Sequence, residues 1–294
     1  MSQPGTNLLK QRLLTAIVLI PLALYAVFGL ELEWFAAAVL VLMTAGAWEW
    51  SPLMGLRRTL SKIAYTVSVA VLLGVLMYLV PLHHIWVDGE LAPVMLWVIV
   101  AGCVWWLIAL GLVIQYPNSR RWWSKTRSIV GLFGYLTLIP AWAGLVAVRS
   151  LNYAENPLFG GFAVLFILLL VWAADVGAFF AGVRYGRNKL MPSVSPGKTM
   201  EGLCGGITLA FVVMMVVAHW VKIPAEQFSG YYLTGLLTVV ASVFGDLNES
   251  MFKRCAGVKD SGSLLPGHGG ILDRIDSLTA ALPVFTLSYL WLLA

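Results

Sequence analysis

The sequence predicts an all-α integral membrane protein of about nine transmembrane helices, with its N-terminus cytoplasmic and its C-terminus on the opposite side. Three observations predict it: a composition too apolar for water, a series of apolar stretches of spanning length, and alternating basic and acidic connections. Of 294 residues, 60% are hydrophobic and 11% charged, against about 25% charged in an average soluble domain. A soluble fold of this size could not bury that much apolar surface. The mean hydropathy of +0.86 makes lipid the solvent for most of the chain. Thirteen Trp and ten Tyr suit a protein with many membrane–water boundaries, where amphipathic rings anchor.

A span needs about 20 apolar residues. Such stretches lie near 13–30, 34–50, 62–81, 93–115, 128–148, 160–181, 202–221, 231–249 and 271–294. With the N-terminus inside, one side carries Lys10, Arg12, Arg57, Arg58, Lys62, Arg120, Arg121, Lys125 and Arg127. It also carries Arg184, Arg187, Lys189, Lys198, Lys253, Arg254 and Lys259, so 16 of the 19 Lys and Arg fall there. The opposite connections hold Arg149 and Lys222 with Glu31, Glu33, Asp88, Glu90, Glu155 and Glu226. This is the positive-inside rule, and a missed or extra helix would scramble it. The net charge of +5 follows from orientation, so no nucleic-acid partner is needed to explain it. The basic n-region before the first stretch resembles a signal peptide, but no A-x-A-like site follows. That stretch is expected to remain as the first membrane helix. Cys103, Cys204 and Cys255 form no CxxC or Cys/His pattern, which argues against a disulfide framework or a zinc site.

The two halves differ in kind. Residues 1–150 hold about five spans with one acid inside them, Glu49, which reads as a neutralising partner for the basic 51–62 loop. Residues 151–294 hold about four spans and two cytoplasmic loops, 182–201 and 250–270. Here Asp175, Glu201, Asp246, Glu249, Asp260, Asp273 and Asp276 all lie at or near one side. Asp175, near the end of its span, leaves open a ligand, a gate or a buried partner for an Arg.

The chemistry concentrates at the eighth and ninth spans. On a helix Asp246, Glu249 and Ser250 fall at i, i+3 and i+4 and share a face, which Lys253 and Arg254 extend towards water. Asp273, Asp276 and Ser277 repeat that spacing at the start of the ninth. An ionised Asp inside a span costs roughly 2.5–3.5 kcal/mol on insertion scales, so such acids usually face a polar cavity and serve a function. Paired Asp and Glu without His or Cys favour a hard cation such as Mg²⁺, and the neighbouring Lys253, Arg254, Lys259 and Arg274 favour phosphates beside it. The loop between the two spans is rich in glycine and serine, so backbone N–H groups can approach a ligand. The start of the ninth helix is expected to offer free donors to an anion. His268, between glycines, has little apolar surface to pack against.

Upstream, Ser195-Pro-Gly-Lys-Thr-Met-Glu-Gly202 leads into the seventh span. Gly-Lys-Thr resembles the end of a Walker A loop, but Pro192 stands where that motif needs Gly and no strand is expected before it. What remains is a basic, hydroxyl-bearing turn fit for an anion, with Gly202, Gly205 and Gly206 suited to close helix packing.

Ser250-x-x-Lys253-Arg254-x4-Lys259-Asp260-x-Gly262-x2-Leu265-Pro266-x-His268-Gly-Gly-x-x-Asp273-Arg274-x-Asp276 resembles the signature of the phosphatidate cytidylyltransferase (CDP-diacylglycerol synthase) family. Ser195-Pro-x-Lys198-Thr199-x-Glu201-Gly202 is similar to a second family segment. The likeness covers the C-terminal third, while the first 150 residues agree only in being hydrophobic spans. It implies the reaction CTP + phosphatidate → CDP-diacylglycerol + pyrophosphate with Mg²⁺, leaving room for a second metal or a monovalent cation, and a homodimer. By the same resemblance Asp246, Glu249, Asp273 and Asp276 are the metal ligands. Asp246, Lys259, Asp260, His268, Asp273 and Arg274 are then the catalytic group, and Ser195, Lys198, Thr199, Glu201, Ser250, Lys253 and Arg254 bind substrate. It implies a role in phospholipid biosynthesis, and chemistry on the cytoplasmic side points to a bacterial-type inner membrane.

Two other readings compete. A cation transporter would also use intramembrane acids, but a pathway should place them at both membrane depths. A CTP-dependent lipid kinase would need similar groups and would release CDP. A CDP-alcohol phosphotransferase is set aside because its spaced D-G-x2-A-R-x8-G-x3-D-x3-D motif is absent.

Overall fold

The structure, a computed structural model, describes residues 4–265, 267 and 269–293, with side chains from 15 on except that of residue 16. Helices dominate it, as they must for apolar segments in lipid, where each backbone N–H needs an internal acceptor. In chain order they are α1 (Pro4–Gly29), α2 (Leu32–Leu53), α3 (Thr59–Leu79), α4 (Pro93–Ile114), α5 (Arg120–Trp123), α6 (Arg127–Arg149), α7 (Phe159–Tyr185), α8 (Met200–Val221), α9 (Phe228–Ala256) and α10 (Leu272–Leu292). Two small antiparallel hairpins interrupt them: β1 (Trp86–Val87) with β2 (Glu90–Leu91), and β3 (Lys189–Met191) with β4 (Ser195–Thr199).

Among the described residues eight helices are long and apolar enough to cross a membrane: α2, α3, α4, α6, α7, α8, α9 and α10. They match eight of the nine expected spans. The expected first span, 13–30, falls on α1, whose described apolar stretch is Ile17–Gly29.

The ends of the helices alternate as the charges predict. At one end His83 Nε2 lies 2.6 Å from Glu33 Oε1, and buried Arg149 donates to the carbonyls of Val27, Leu30 and Pro157. At the other end Ser193 Oγ donates to Tyr116 O and Arg254 Nε to Val194 O, 3.3 Å away. The acidic and the basic connections therefore sit at opposite ends of the bundle.

Packing explains why the basic end is ordered. Phe252 on the back of α9 is 1% exposed and meets Trp50 and Trp123, each with ring centroids 5.0 Å away. Trp50 Nε1 donates to Val130 O at 2.9 Å, so an aromatic wedge from α2, α5 and α6 fixes the last turns of α9. The α7–α8 contact is close because it is lined with small residues. Gly177 faces the Gly205 carbonyl and Gly206 faces the Ala174 carbonyl, with no room for a side chain at either. The glycines expected to pack helices do so.

The segment before α8 corrects one expectation. It is a strand, β4, and not a turn, with Lys189 opposite Thr199 and Met191 opposite Ser195. A strand is therefore present beside Gly-Lys-Thr, but that tripeptide lies within the strand and does not wrap a phosphate. The P-loop reading fails for this reason as well as for Pro192.

Candidate active site

α9 and α10 bring their acids together because they approach at a glycine. A Cβ on Gly245 would stand 2.6 Å from the Asp276 carbonyl oxygen, so only glycine lets the backbones come this near. Directly after Gly245 come Asp246, Glu249 and Ser250, opposite Asp273 and Asp276, as the i, i+3, i+4 spacing predicts.

The charged groups form an inner and an outer set. In the inner set Lys253 Nζ lies 2.7 Å from Asp273 Oδ1 and 3.2 Å from Glu249 Oε1, with side-chain exposures of only 12%, 6% and 4%. Glu249 also abuts the carboxyls of Asp273 and Asp276. Neither of its oxygens has a hydrogen-bond partner among the described residues. Asp276 Oδ1 accepts the N–H of Ser277 at 2.6 Å. The outer set is Lys198 Nζ against Asp246 Oδ2 at 2.6 Å, nearly one-third exposed, with Ser250 Oγ 3.3 Å from Asp246 Oδ1. Asp175 of α7 lies within electrostatic reach of both Asp246 and Lys198.

Beside the outer set opens a cavity of about 280 Å³, lined by Asp175, Lys198, Thr199 and Gly202 on one side and by Phe179 and Val183 on another. Phe179 and Val183 are largely exposed on the outer surface of the bundle. The cavity thus joins the charged groups to an apolar flank.

Several predicted site residues turn out to hold the scaffold. Thr199 Oγ1 accepts the Gly202 N–H at 3.0 Å and is the N-cap of α8, the usual work of such a hydroxyl at that position. Glu201 accepts from the backbone N–H of Arg187 and Asn188 and from the Asn188 side chain, closing the β3–β4 hairpin at its base. Asp273 accepts the N–H of Ser261 at 3.0 Å and of Gly270 at 2.8 Å, in addition to Lys253. Arg254 ties α9 to the hairpin turn. Ser195 begins β4, while Lys259, Asp260 and Arg274 are exposed at the mouth of the site and make no ion pair among the described residues. His268 lies outside the described residues.

Two expectations change here. At the start of α10 some donors are already spent on this chain's own acids, since Gly270 N–H is taken by Asp273 and Leu272 N–H by Glu49. Glu49 does not neutralise the 51–62 loop. It is 2% exposed and makes no ion pair among the described residues, bonding instead to the loop between α9 and α10. Its one legible signal was being an acid inside a span.

The donor set bears on a metal. Asp246, Glu249 and Asp276 offer hard carboxylate oxygens, and the buried Glu249 carboxylate faces the Lys253 ammonium 3.2 Å from Oε1 while abutting two other acids. Among the described residues no three acids, histidines or cysteines are already gathered closely enough to hold an ion. The fit to Mg²⁺ therefore rests on the chemistry of the donor set, an excess of hard carboxylates over the one ammonium among them.

Comparison with known sequences decides the family. The profile described as the cytidylyltransferase family matches residues 10–292. The chain belongs to that family. It is 42% identical over 291 residues to the phosphatidate cytidylyltransferase of Haemophilus influenzae, covering 97% of this chain and 100% of that protein. It is 42% identical over 284 residues to the one from Pseudomonas aeruginosa, covering 97% of each. The Staphylococcus epidermidis protein of the same name is 46% identical over 198 residues, 60% of this chain and 75% of its own length. The match extends well beyond the C-terminal third that carries the signature.

Proposed function

We propose that this chain transfers the cytidylyl group of CTP to phosphatidate, forming CDP-diacylglycerol and pyrophosphate, in bacterial phospholipid biosynthesis. The observation that carries the reading is the convergence, at one end of a membrane bundle, of the residues shared with the family signature. The basic end is placed in the cytoplasm on the positive-inside rule, so the site opens where CTP is found, in a bacterial-type inner membrane. Assembly as a homodimer rests on the family resemblance.

The chemistry demands little acid–base help. Phosphatidate attacks through a phosphate monoester oxygen that is already largely ionised, its second pKa being about 6. The requirements are alignment at the α-phosphorus and neutralisation of charge on the leaving pyrophosphate. Exposed Lys259 and Arg274 are free to hold nucleotide phosphates. Lys198, at the meeting of the charged groups with the apolar flank, suits the phosphate of a lipid whose acyl chains stay beside Phe179 and Val183. Asp246, Glu249 and Asp276 would hold Mg²⁺. When bound, that ion would supply Lewis-acid stabilisation of the departing phosphates. Asp273 is better suited to order the loop, since both of its oxygens are already engaged.

The test uses CTP labelled at the α-phosphorus with phosphatidate and Mg²⁺. Label should pass into the lipid phase; label that stays in water ends the proposal. CTP labelled at the γ-phosphorus should give labelled pyrophosphate and unlabelled lipid, whereas a lipid kinase would label the lipid.

A further inference from the structure

We propose that Glu49, far away in the N-terminal half, is a positioning residue of this active site, clamping the loop between α9 and α10. The inference rests on the proposed reaction for its kinetic consequences but not for its geometry. Glu49 Oε2 accepts the N–H of Leu272 at 2.8 Å and the hydroxyl of Ser261 at 3.2 Å. It thereby ties the body of the loop to the first residue of α10. Gly262 and Gly270 close over the carboxylate so tightly that a Cβ on either would collide with it.

Glu49 and Asp273 work as a pair. Asp273 holds the N–H groups of Ser261 and Gly270, and Glu49 holds the Ser261 side chain and Leu272. Ser261, 7% exposed, is thus gripped through backbone and side chain by acids from different helices. Asp273 cannot serve alone, because it is also the counter-ion of Lys253. The gripped points flank the catalytic candidates: Lys259 and Asp260 precede Ser261, and Gly269 packs against Asp260 and Asp273. An acid at the positive end of the α10 dipole also stabilises the first turn that carries Asp273. The clamp sets the distance from Lys259 and Asp260 to the acids of α9 and α10.

Positioning and direct chemistry predict different variants. Both bonds use one oxygen, Oε2, which the carbonyl of a glutamine reproduces with its two lone pairs. Oε1 has no hydrogen-bond partner among the described residues. In the full-length protein, Glu49→Ala should lower kcat/KM about a hundredfold, the scale expected when reacting groups drift by about 1 Å. It should also speed amide hydrogen exchange across 257–272 while the spans stay protected. Glu49→Gln should stay close to wild type in both readouts. Ser261→Ala should fall in the same direction by less, and adding it to Glu49→Ala should cost nothing more.

Wild-type kcat/KM in Glu49→Ala would overturn the proposal. So would a Glu49→Gln enzyme as poor as Glu49→Ala with its loop still protected, since the charge itself would then be at work. If Glu49→Ala does not fold, the Gln variant and Ser261→Ala decide. Should the wild type make no CDP-lipid, the proposed reaction falls, and the exchange comparison still judges the clamp.

Discussion

Lys198 and Asp246 occupy each other across 2.6 Å, yet in the proposed reaction each would serve for something else. A partly exposed ion pair contributes about 0–1 kcal/mol to stability, so it is cheap to open when an anion and a cation arrive together. Lys198→Ala should therefore leave the thermal midpoint within a few degrees of wild type while cutting CDP-lipid formation by about a hundredfold or more, the scale seen when one charge-stabilising donor is removed. Thermal melts and initial rates on one preparation check both halves. Asp246→Asn should abolish activity to the same or greater extent without altering ion flux through vesicles. Flux lost with the carboxylate would instead favour the transporter reading. At this scale the sequence was legible where partners are helix neighbours: Asp246, Glu249 and Ser250 share a face by spacing alone. It was illegible where the partner lies far along the chain. Nothing local to Glu49 points to Leu272, and nothing in the type of Glu201 reveals that a hairpin base consumes its oxygens, although Thr199 just before a helix did carry the signal of an N-cap.

The elements are set by where backbones can touch. Gly245 lets α9 meet α10 at Asp276, and every distance in the inner set follows from that contact. Gly245→Ala would place a methyl against a backbone carbonyl, which cannot rotate away, so the helices must separate there. Activity should fall about a hundredfold from misplacement of the acids, with the helical content unchanged by circular dichroism. Gly74→Ala in α3, where a Cβ meets nothing within 4 Å, is the matching control and should be active. Spans are easy to read from sequence because lipid enforces them: about 20 apolar residues and an internally bonded backbone leave one solution. The β3–β4 hairpin was harder. Ser195-Pro-Gly-Lys-Thr199 contains a Pro and a Gly and no apolar alternation, so the strand exists by virtue of its partner and the Glu201 clasp.

For the whole molecule the deciding quantity is sidedness, and the bundle constrains it tightly. Connections bearing Glu33, His83 and Arg149 meet at one end, and those bearing Lys198, Lys253 and Glu49 meet at the other. One labelled residue at each end therefore fixes every span. The sequence carries a signal for orientation because translocation discriminates against Lys and Arg in short loops and is nearly blind to Asp and Glu, leaving a charge record that folding does not erase. Starting from a variant without Cys103, Cys204 and Cys255, a cysteine in place of Asp88 should react with a membrane-impermeant thiol reagent at the outer face of intact spheroplasts. A cysteine in place of Lys259 should react only after permeabilisation. The reverse pattern would put the acids of α9 and α10 on the side away from CTP, and the proposed reaction could not proceed as written. Five spans, α4, α6, α7, α8 and α9, separate β1–β2 from the α9–α10 loop, so the two should lie on opposite faces. Labelling of both in intact spheroplasts would mean that an odd number of those five fails to cross.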